Sequence, residues 1–331
     1  MRQQEQPTFA SVGSVGFDWY RKPTRKEKFL QEMEAVIPWE ELVEEIEPYY
    51  PKNQGPGRPA WPLKKMLKLY FLQIWYGLSD PKTEEEVYDS YAFQRFVGID
   101  LGREGVPDET TICKFRHLLE RHGLAQRLLE RVNRYLEKQG LRWSRGTILD
   151  ATVVRAPVST KNRKGERDPE MGSTKKGKNW EFGMKVHVGV DAKSKLVHSV
   201  VVTPANVHDS QVADQLVRGT EREVYGDRAY MGQEERIRRR APRARSCIEK
   251  RAVRGRRLSE AQRRRNRKWA KIRCRVEHVF GVMKQVFRWG KVRFRGLYKN
   301  AQYAMMVIAA VNLYLARNWI LQNRSRQRWA A

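Results

Sequence analysis

Apolar residues recur at helical spacing through the first 140 residues of the chain. Between Lys26 and Tyr50 they alternate with acidic residues and predict short amphipathic helices. A stronger apolar stripe follows the Pro/Gly-rich linker at 51–62 and predicts a helix from Leu63 to about Gly77. We expect further helices at 83–97, 109–122 and 124–139. Because no strand pattern occurs in this part, it should form an all-helical domain.

From residue 147 onward the chain shows the period-two alternation that is typical of β-strands. The segment TILDATVVRA opens this part, and DAKSK supplies a turn between two further alternating segments. We expect strands at 147–156, 183–191, 195–203, 223–227 and 246–250, and helices at 209–217 and from about 259 to 287. This order predicts an α/β fold, a mixed sheet with helices on its faces.

Length and composition suit a folded protein of about two domains. The chain has 331 residues, of which 40% are hydrophobic, enough for a buried core. Residues 1–25 show no apolar period and are predicted to be a flexible leader. A helical domain at 26–140 and an α/β domain at 141–322 follow, and a basic tail occupies 323–331.

The charge is strongly basic, with 66 Lys and Arg residues against 38 Asp and Glu residues and a net charge of +28. Self-repulsion of this size favours a polyanionic partner, either nucleic acid or an anionic membrane surface. The segment 236–275 alone holds 19 basic residues against two acids. We expect this segment to contact the DNA backbone; RNA or a merely solvated surface is the alternative. The residues singled out for DNA contact are Trp269, Lys271, Arg273 and Arg275.

Membrane anchoring and secretion are not expected. The best apolar run, at 301–316, is short for a membrane span and contains polar residues, and the N-terminus has no apolar signal core. Cys113, Cys247 and Cys274 are an odd number without paired spacing, which argues against a disulfide scaffold or a zinc finger. The predicted location is the cytoplasm.

Three acidic residues have unusual sequence surroundings. Asp150 interrupts an apolar strand, where a carboxylate is costly to bury unless it meets cations or faces a cleft. Asp227 ends a predicted strand, at the edge where open α/β sheets bind ligands. Glu277 stands among basic residues in the predicted long helix. Together they would make a hard-oxygen site for two divalent cations, which catalyse in-line attack on phosphodiesters.

A polar stripe on the long helix accompanies Glu277. At about 100° per residue, Arg273 lies roughly 40° from Glu277, and Lys284 returns to within about 20° of it. This placement predicts that both cations face the same cleft as the carboxylate. The alternative is a surface ion pair worth a few tenths of a kcal/mol beside solvated charge.

The segments ILDATVV, VYGDRAYMG and RCRVEHVFGVMK, in this order, resemble the DDE core of bacterial insertion-sequence transposases, most closely the IS-five family. The last block of that family has the pattern Tyr-x2-Arg-x3-Glu-x6-Lys. Arg273, Glu277 and Lys284 match this spacing, and Ala270 replaces the Tyr. TPANVHDS, KVHVGVD and GRPAWPLKKMLKLYFLQIWYGLSD resemble flanking blocks, so the resemblance covers roughly 50–320.

The resemblance implies a ribonuclease-H-like catalytic domain and a helical N-terminal domain that recognises terminal repeats. It implies that Asp150, Asp227 and Glu277 are catalytic and hold two Mg²⁺ ions, for which Mn²⁺ can substitute. Arg273 and Lys284 would contact phosphates near the scissile bond. The expected partners are terminal inverted repeats, target DNA and further copies of the chain in a homodimer or larger assembly, at the bacterial nucleoid.

Other polar residues near these motifs allow more than one interpretation. Tyr230 either stacks on a splayed base or fills the corner between strand and helix. His208 and Asp209 are expected to lie close behind the carboxylates and to orient them. The alternative is a zinc cluster, which would also need His187, His198 and Asp191.

The sequence thus predicts a Mg²⁺-dependent DNA transposase that cuts the ends of an insertion sequence and joins the 3′-ends to target DNA. A catalytically inactive or host-recruited DNA-binding relative is the first alternative. A basic RNA-binding protein is the second, although no RNP-type aromatic motif supports it.

Overall fold

The computed structural model describes residues 22–52, 59–163, 165–252 and 257–330. Most of the predicted leader and the middle of the predicted 51–62 linker lie outside these residues. The chain divides into two compact units, Met1–Leu118 with Arg317–Ala331, and Leu119–Ala316.

The first unit is helical, as the sequence predicts. A capping box between Thr24 and Glu27 starts its first helix. Most residues of its third helix are buried, and the Trp39 ring packs edge-on against Phe71 of that helix, with centroids 5.5 Å apart. The helices are α1 (Arg25–Val36), α2 (Trp39–Ile46), α3 (Leu63–Tyr76), α4 (Asp80–Asp89), α5 (Tyr91–Val97) and α6 (Glu109–Arg121).

The single helix predicted at 83–97 is wrong, because α4 and α5 are separate helices. Ser90 adopts an extended conformation between them. The Gln94 side-chain amide donates hydrogen bonds to the carbonyls of Val87 and Tyr88, both 2.9 Å long. These bonds satisfy carbonyls that the end of α4 leaves unpaired. The break therefore depends on a side chain from the following helix, which apolar spacing does not reveal.

The second unit contains a six-stranded mixed sheet. Its order is β2-β3-β1-β5-β6, and β4 also pairs with β3. β1 is antiparallel to β3 and parallel to β5, which is parallel to β6. The strands are β1 (Gly146–Arg155), β2 (Gly172–Lys176), β3 (Asn179–Asp191), β4 (Val197–Pro204), β5 (Glu223–Gly226) and β6 (Arg245–Ile248). β2 is a strand that the sequence patterns missed.

Helices flank this sheet and give it the ribonuclease-H-like α/β arrangement that the sequence resemblance implied. The predicted helix at 209–217 is instead a 3-10 turn at Asp209–Leu216, which buries Val212, Ala213 and Leu216. The remaining helices are α7 (Leu124–Lys138), α8 (Glu234–Arg240), α9 (Glu260–Arg273), α10 (Glu277–Gly281) and α11 (Leu297–Ala330).

α11 is the apolar helix of the fold. By length and composition alone Leu297–Arg326 is a candidate membrane span, but 61% of its most apolar window is buried inside the protein. Asn312 in this helix is fully buried. Its amide donates to the Val197 carbonyl at 2.7 Å and to Asn133 Oδ1 at 2.8 Å. These contacts indicate a core helix whose polar residue is satisfied by protein groups.

Gly189 on β3 lies so close to the backbone of Leu216 that a residue with a Cβ does not fit there. A Cβ at this position would collide with the Leu216 carbonyl oxygen and with the His198 ring. We expect Gly189→Ala to lower the free energy of unfolding by about 1–3 kcal/mol, since the carbonyl oxygen has little freedom to move. Urea unfolding measures the loss. Gly290→Ala is the control because its Cβ meets nothing within 4 Å; equal stability of the two variants would contradict the prediction.

Candidate active site

A row of carboxylates stands at the carboxyl end of the parallel strands. In the register of β1, β5 and β6, Leu149 pairs with Gly226, and Gly226 pairs with Ile248. Asp150, Asp227 and Glu249 follow at the next position on each chain. Neighbouring strands are about 4.8 Å apart, so register alone brings these three acids side by side. Two of them are the predicted catalytic aspartates, and Glu249 is a residue that the sequence analysis missed.

Glu277 comes from a helical segment that is not the regular helix predicted at 259–287. α9 is followed by a 3-10 turn at Cys274–Val276, then by α10, and then by a π-helical turn at Val282–Val286. The π turn ends with Phe287 N–H bonded to the Val282 carbonyl at 2.9 Å and with Arg288 in a left-handed conformation. Such π turns are frequent at functional sites.

These elements enclose a cavity of about 780 Å³ in the second unit. Asp150, Asp227 and Glu277 all line it, as do the predicted phosphate contacts Arg273 and Lys284. Glu277 and Lys284 therefore face one cavity, as predicted. The angle of about 100° per residue behind that prediction does not hold, because the segment is not a regular α-helix. Further lining side chains are Thr174, Lys175, Lys185 and Asp209.

Arg273 forms ion pairs with two of the three carboxylates in this row, Asp150 and Glu249. Its Nη1 lies 3.3 Å from Asp150 Oδ2 and its Nε lies 3.2 Å from Glu249 Oε1. Lys284 Nζ donates to the Val153 carbonyl at 2.8 Å. Both cations are thus held by specific partners at the edge of the cavity rather than projecting freely into solvent.

The two aspartates are poorly solvated. The pKa of Asp150 is raised to about 6. Burial is the largest cause, and the negative charges of Asp227 and Glu277 act in the same direction. A hydrogen bond from the Ala151 N–H and the Arg273 charge oppose this rise. Burial also raises the pKa of Asp227, against a 2.9 Å hydrogen bond from the Ala229 N–H. Negative charge at this position is therefore costly, and a bound cation would relieve it.

The donor chemistry fits a hard divalent cation. Asp150, Asp227 and Glu277 offer only carboxylate oxygens, the donors that magnesium prefers. Among the residues that the structure describes, however, no three His, Cys, Asp or Glu side chains are grouped closely enough to form a ready-made metal site. The Arg273 guanidinium lies 3.3 Å from Asp150 Oδ2, an oxygen that a cation would need.

Asp209 and His208 occupy different positions. Asp209 lines the cavity and forms an ion pair with Lys185 at 2.9 Å. Its Oδ1 is also 3.8 Å from Nδ1 of the fully buried His187, whose pKa burial lowers. His208 is exposed and accepts a hydrogen bond from the Ser210 N–H at the start of the 3-10 turn. Asp209 therefore reaches the site, whereas His208 caps the adjacent turn.

The zinc interpretation receives no support from the remaining polar residues. His198 bonds to Thr147 and Ser199, and burial lowers its pKa to about 3. Asp191 accepts hydrogen bonds from the backbone of Ser144 and Ser194. These side chains stabilise the ends of strands and are engaged with protein groups.

Tyr230 is fully buried and belongs to the apolar cluster beneath the sheet. Its ring also lies against Gly226, where an added Cβ would meet ring carbons 3.1 Å away. In this conformation a nucleobase cannot reach the ring, so the corner-packing interpretation is the one that the structure favours.

The other predicted DNA contacts lie outside the carboxylate cavity. Lys271 is exposed and Trp269 is half-buried on α9. The Arg275 guanidinium donates to the Ala192 carbonyl and lines a second cavity.

Of the residues that the sequence analysis missed, Glu249 was recoverable, because it follows a strand just as Asp227 does. Lys185 and Lys175 gave no such signal.

Comparison with known families matches residues 144–313 to the transposase DDE domain and residues 17–118 to a transposase domain (DUF772). The first match covers just over half of the chain. Among solved structures, the cryo-EM structure of a piggyBac transposase synaptic complex with hairpin DNA is similar over 89% of this chain and 74% of that chain, with 10% sequence identity and a TM-score of 0.44. On the two family matches, the chain belongs to the transposase DDE-domain family and is a DNA transposase of the insertion-sequence type.

Proposed function

We propose that this transposase nicks the ends of its element and joins the 3′-ends to target DNA, with Asp150, Asp227 and Glu277 holding two Mg²⁺ ions. The family uses divalent cations in general; the choice of magnesium, with Mn²⁺ as a substitute, is part of the proposal. The observation that carries it is the single cavity lined by these three carboxylates together with Arg273 and Lys284.

The bound ions would supply the activation of a water or a 3′-hydroxyl and the stabilisation of the leaving oxygen. The protein fixes where the carboxylates lie. β1 and β5 place Asp150 and Asp227 in adjacent register, and Glu277 is the first residue of α10. A hydrogen bond from a nearby backbone N–H fixes Oδ1 of each aspartate. Oδ2 of Asp150 is the oxygen that Arg273 contacts and that a cation would take over. Three separate elements thereby contribute carboxylates to the lining of one cavity.

Arg273 has two roles in this proposal. In the structure, its Nη1 neutralises Asp150 and its Nε pairs with Glu249. With cations held by Asp150, the Nη1 end of the Arg273 guanidinium would be free to bind a phosphate, and Glu249 would keep the Nε end in place. An arginine suits this exchange because its planar fork binds carboxylates and phosphates alike.

Both steps are in-line displacements at phosphorus, first by water and then by the 3′-hydroxyl, and the proposal requires no covalent protein–DNA intermediate. Lys284 lies in the π turn, lines the same cavity as Arg273 and would neutralise a phosphate oxygen beside the scissile bond. Lys284 and Arg273 together would hold the strand while the attacking oxygen approaches.

Terminal-repeat recognition is assigned to the helical N-terminal domain, and α6 is the helix favoured to read DNA. Arg116 in this helix is buried and forms an ion pair with Asp80 at 2.5 Å, so it has a structural role. Thr110 and Lys114 are exposed and can reach DNA. Assembly as a homodimer or larger complex on paired ends, at the nucleoid in the cytoplasm, belongs to the same proposal.

Incubation of the purified protein with DNA from the end of its element tests the proposal. We expect strand nicking that requires Mg²⁺ or Mn²⁺, joining products in the presence of a target duplex, and no DNA-linked protein on a denaturing gel. Cutting that persists in a chelator, or a covalent adduct, would refute the metal mechanism. Binding of end DNA without cutting under all metal conditions would favour a catalytically inactive relative.

A further inference from the structure

A second cavity, of about 900 Å³, lies at the opposite, amino end of the parallel strands. Residues at the start of β1, β5 and β6 line it, together with the β3–β4 turn and the face of α9 that carries Ile272. Six of the lining residues are cations and only one is an acid: Arg145, Lys193, Arg222, Arg243, Arg245 and Arg275, with Glu223. No role in the carboxylate chemistry accounts for this concentration of charge.

The single acid does not neutralise the cavity. Glu223 Oε1 already pairs with Arg245 at 2.7 Å, and its Oε2 accepts a hydrogen bond from the Tyr225 hydroxyl at 2.6 Å. The side chains of Arg145, Arg222 and Arg243 are exposed and form no ion pair with the residues that the structure describes. Unpaired cations in a concave surface focus a positive potential that attracts an anion.

The distance between the two cavities fits duplex DNA. Gly146 lines the basic cavity and Asp150 lines the carboxylate cavity, four residues along the same strand. At about 3.3 Å per residue this separation is roughly 13 Å, which equals the axial rise of about four base pairs of duplex DNA. The end of α9 and the 3-10 turn that follows it line both cavities, because Arg273 faces the carboxylates and Arg275 faces the basic cavity.

We infer that the basic cavity binds the phosphate backbone of duplex DNA a few base pairs from the scissile phosphate, through Arg145, Arg222 and Arg243. The contact is independent of base sequence, since the cavity offers guanidinium groups and no element shaped to enter a groove. The inference rests on the proposed function, because the carboxylate cavity defines where the DNA is cut.

The test replaces Arg145, Arg222 and Arg243 together with Ala in the full-length protein and measures the binding of a fluorescein-labelled random duplex in chelator across a salt series. Each phosphate contact contributes about 0.9 to the slope of log K against log salt, so the slope should fall by about 2.7. Replacement of the same residues with Lys keeps the charge and should preserve most of the slope. Unchanged circular dichroism and melting temperature confirm that the variants are folded.

The control triple variant replaces Arg134, Lys291 and Lys299 with Ala, three exposed cations that line neither cavity and lie outside α6. An equal fall in slope in this control, or no fall in the cavity variant, overturns the inference. Tighter binding of an RNA duplex or of ATP that depends on the same three arginines overturns the assignment to DNA. Because binding is measured without metal, it is independent of cutting: normal nicking by Asp227→Asn refutes the proposed catalytic site but leaves this result standing.

Discussion

Asp227→Asn should reduce nicking of end DNA by about three orders of magnitude or more while leaving DNA binding in chelator intact. The reason is that a bound divalent cation contributes several kcal/mol of transition-state stabilisation, and each 1.36 kcal/mol is worth a factor of ten in rate. Asn keeps the shape of Asp and can still accept the hydrogen bond from the Ala229 N–H. Single-turnover nicking rates at saturating Mg²⁺ measure the effect.

The stability of this variant separates a catalytic from a structural role. Because burial raises the pKa of Asp227, its charge is unfavourable in the folded state, and the neutral Asn should not lower the melting temperature. Asp214→Asn is the matched control, since Asp214 pairs with Arg236 on the surface and lies outside the cavity. Asp227→Asn protein that is folded and nicks at the parent rate would remove this carboxylate from the proposed site.

Lys284→Ala should slow strand cleavage by roughly 10- to 150-fold. A charge-assisted contact to a phosphate that forms in the transition state is worth about 1.5–3 kcal/mol, which corresponds to that range. The substitution also removes the hydrogen bond to the Val153 carbonyl, so unfolding must be measured in parallel. Lys284→Arg retains the charge with a different donor geometry and should keep part of the activity.

Two comparisons make the Lys284 result decisive. Lys299→Ala removes an exposed lysine of the same unit that does not line the cavity, and it should cut like the parent. Lys284→Met keeps the length of the side chain without its charge and should cut as poorly as Lys284→Ala. Full activity in both Lys284→Ala and Lys284→Met would show that this lysine only ties the π turn to β1.

The class of the protein was predictable from the resemblance of its motifs to a known family. That Asp150 and Asp227 belong to a site was predicted from local patterns, and both line one cavity. Strand alternation around Asp150 and the strand end at Asp227 are local patterns, and burial of a carboxylate in an apolar strand marks a site whatever lies around it. The helices of the N-terminal half followed from apolar spacing for the same reason, apart from the break at Ser90. The basic composition indicated a polyanionic partner, either nucleic acid or an anionic membrane surface.

The tertiary structure decided which residues meet. Parallel register of β1, β5 and β6 places Glu249 beside the two aspartates, a juxtaposition between segments far apart in the sequence. A 3-10 turn and a π turn flank α10, so angles calculated for a regular helix do not describe how Glu277 and Lys284 are placed. Tyr230 and His208 have the residue types of a site, yet one is buried and the other caps a turn. Local periodicity encodes which face of an element is apolar, whereas side-chain neighbours across elements depend on strand order, register and packing, which no single segment contains.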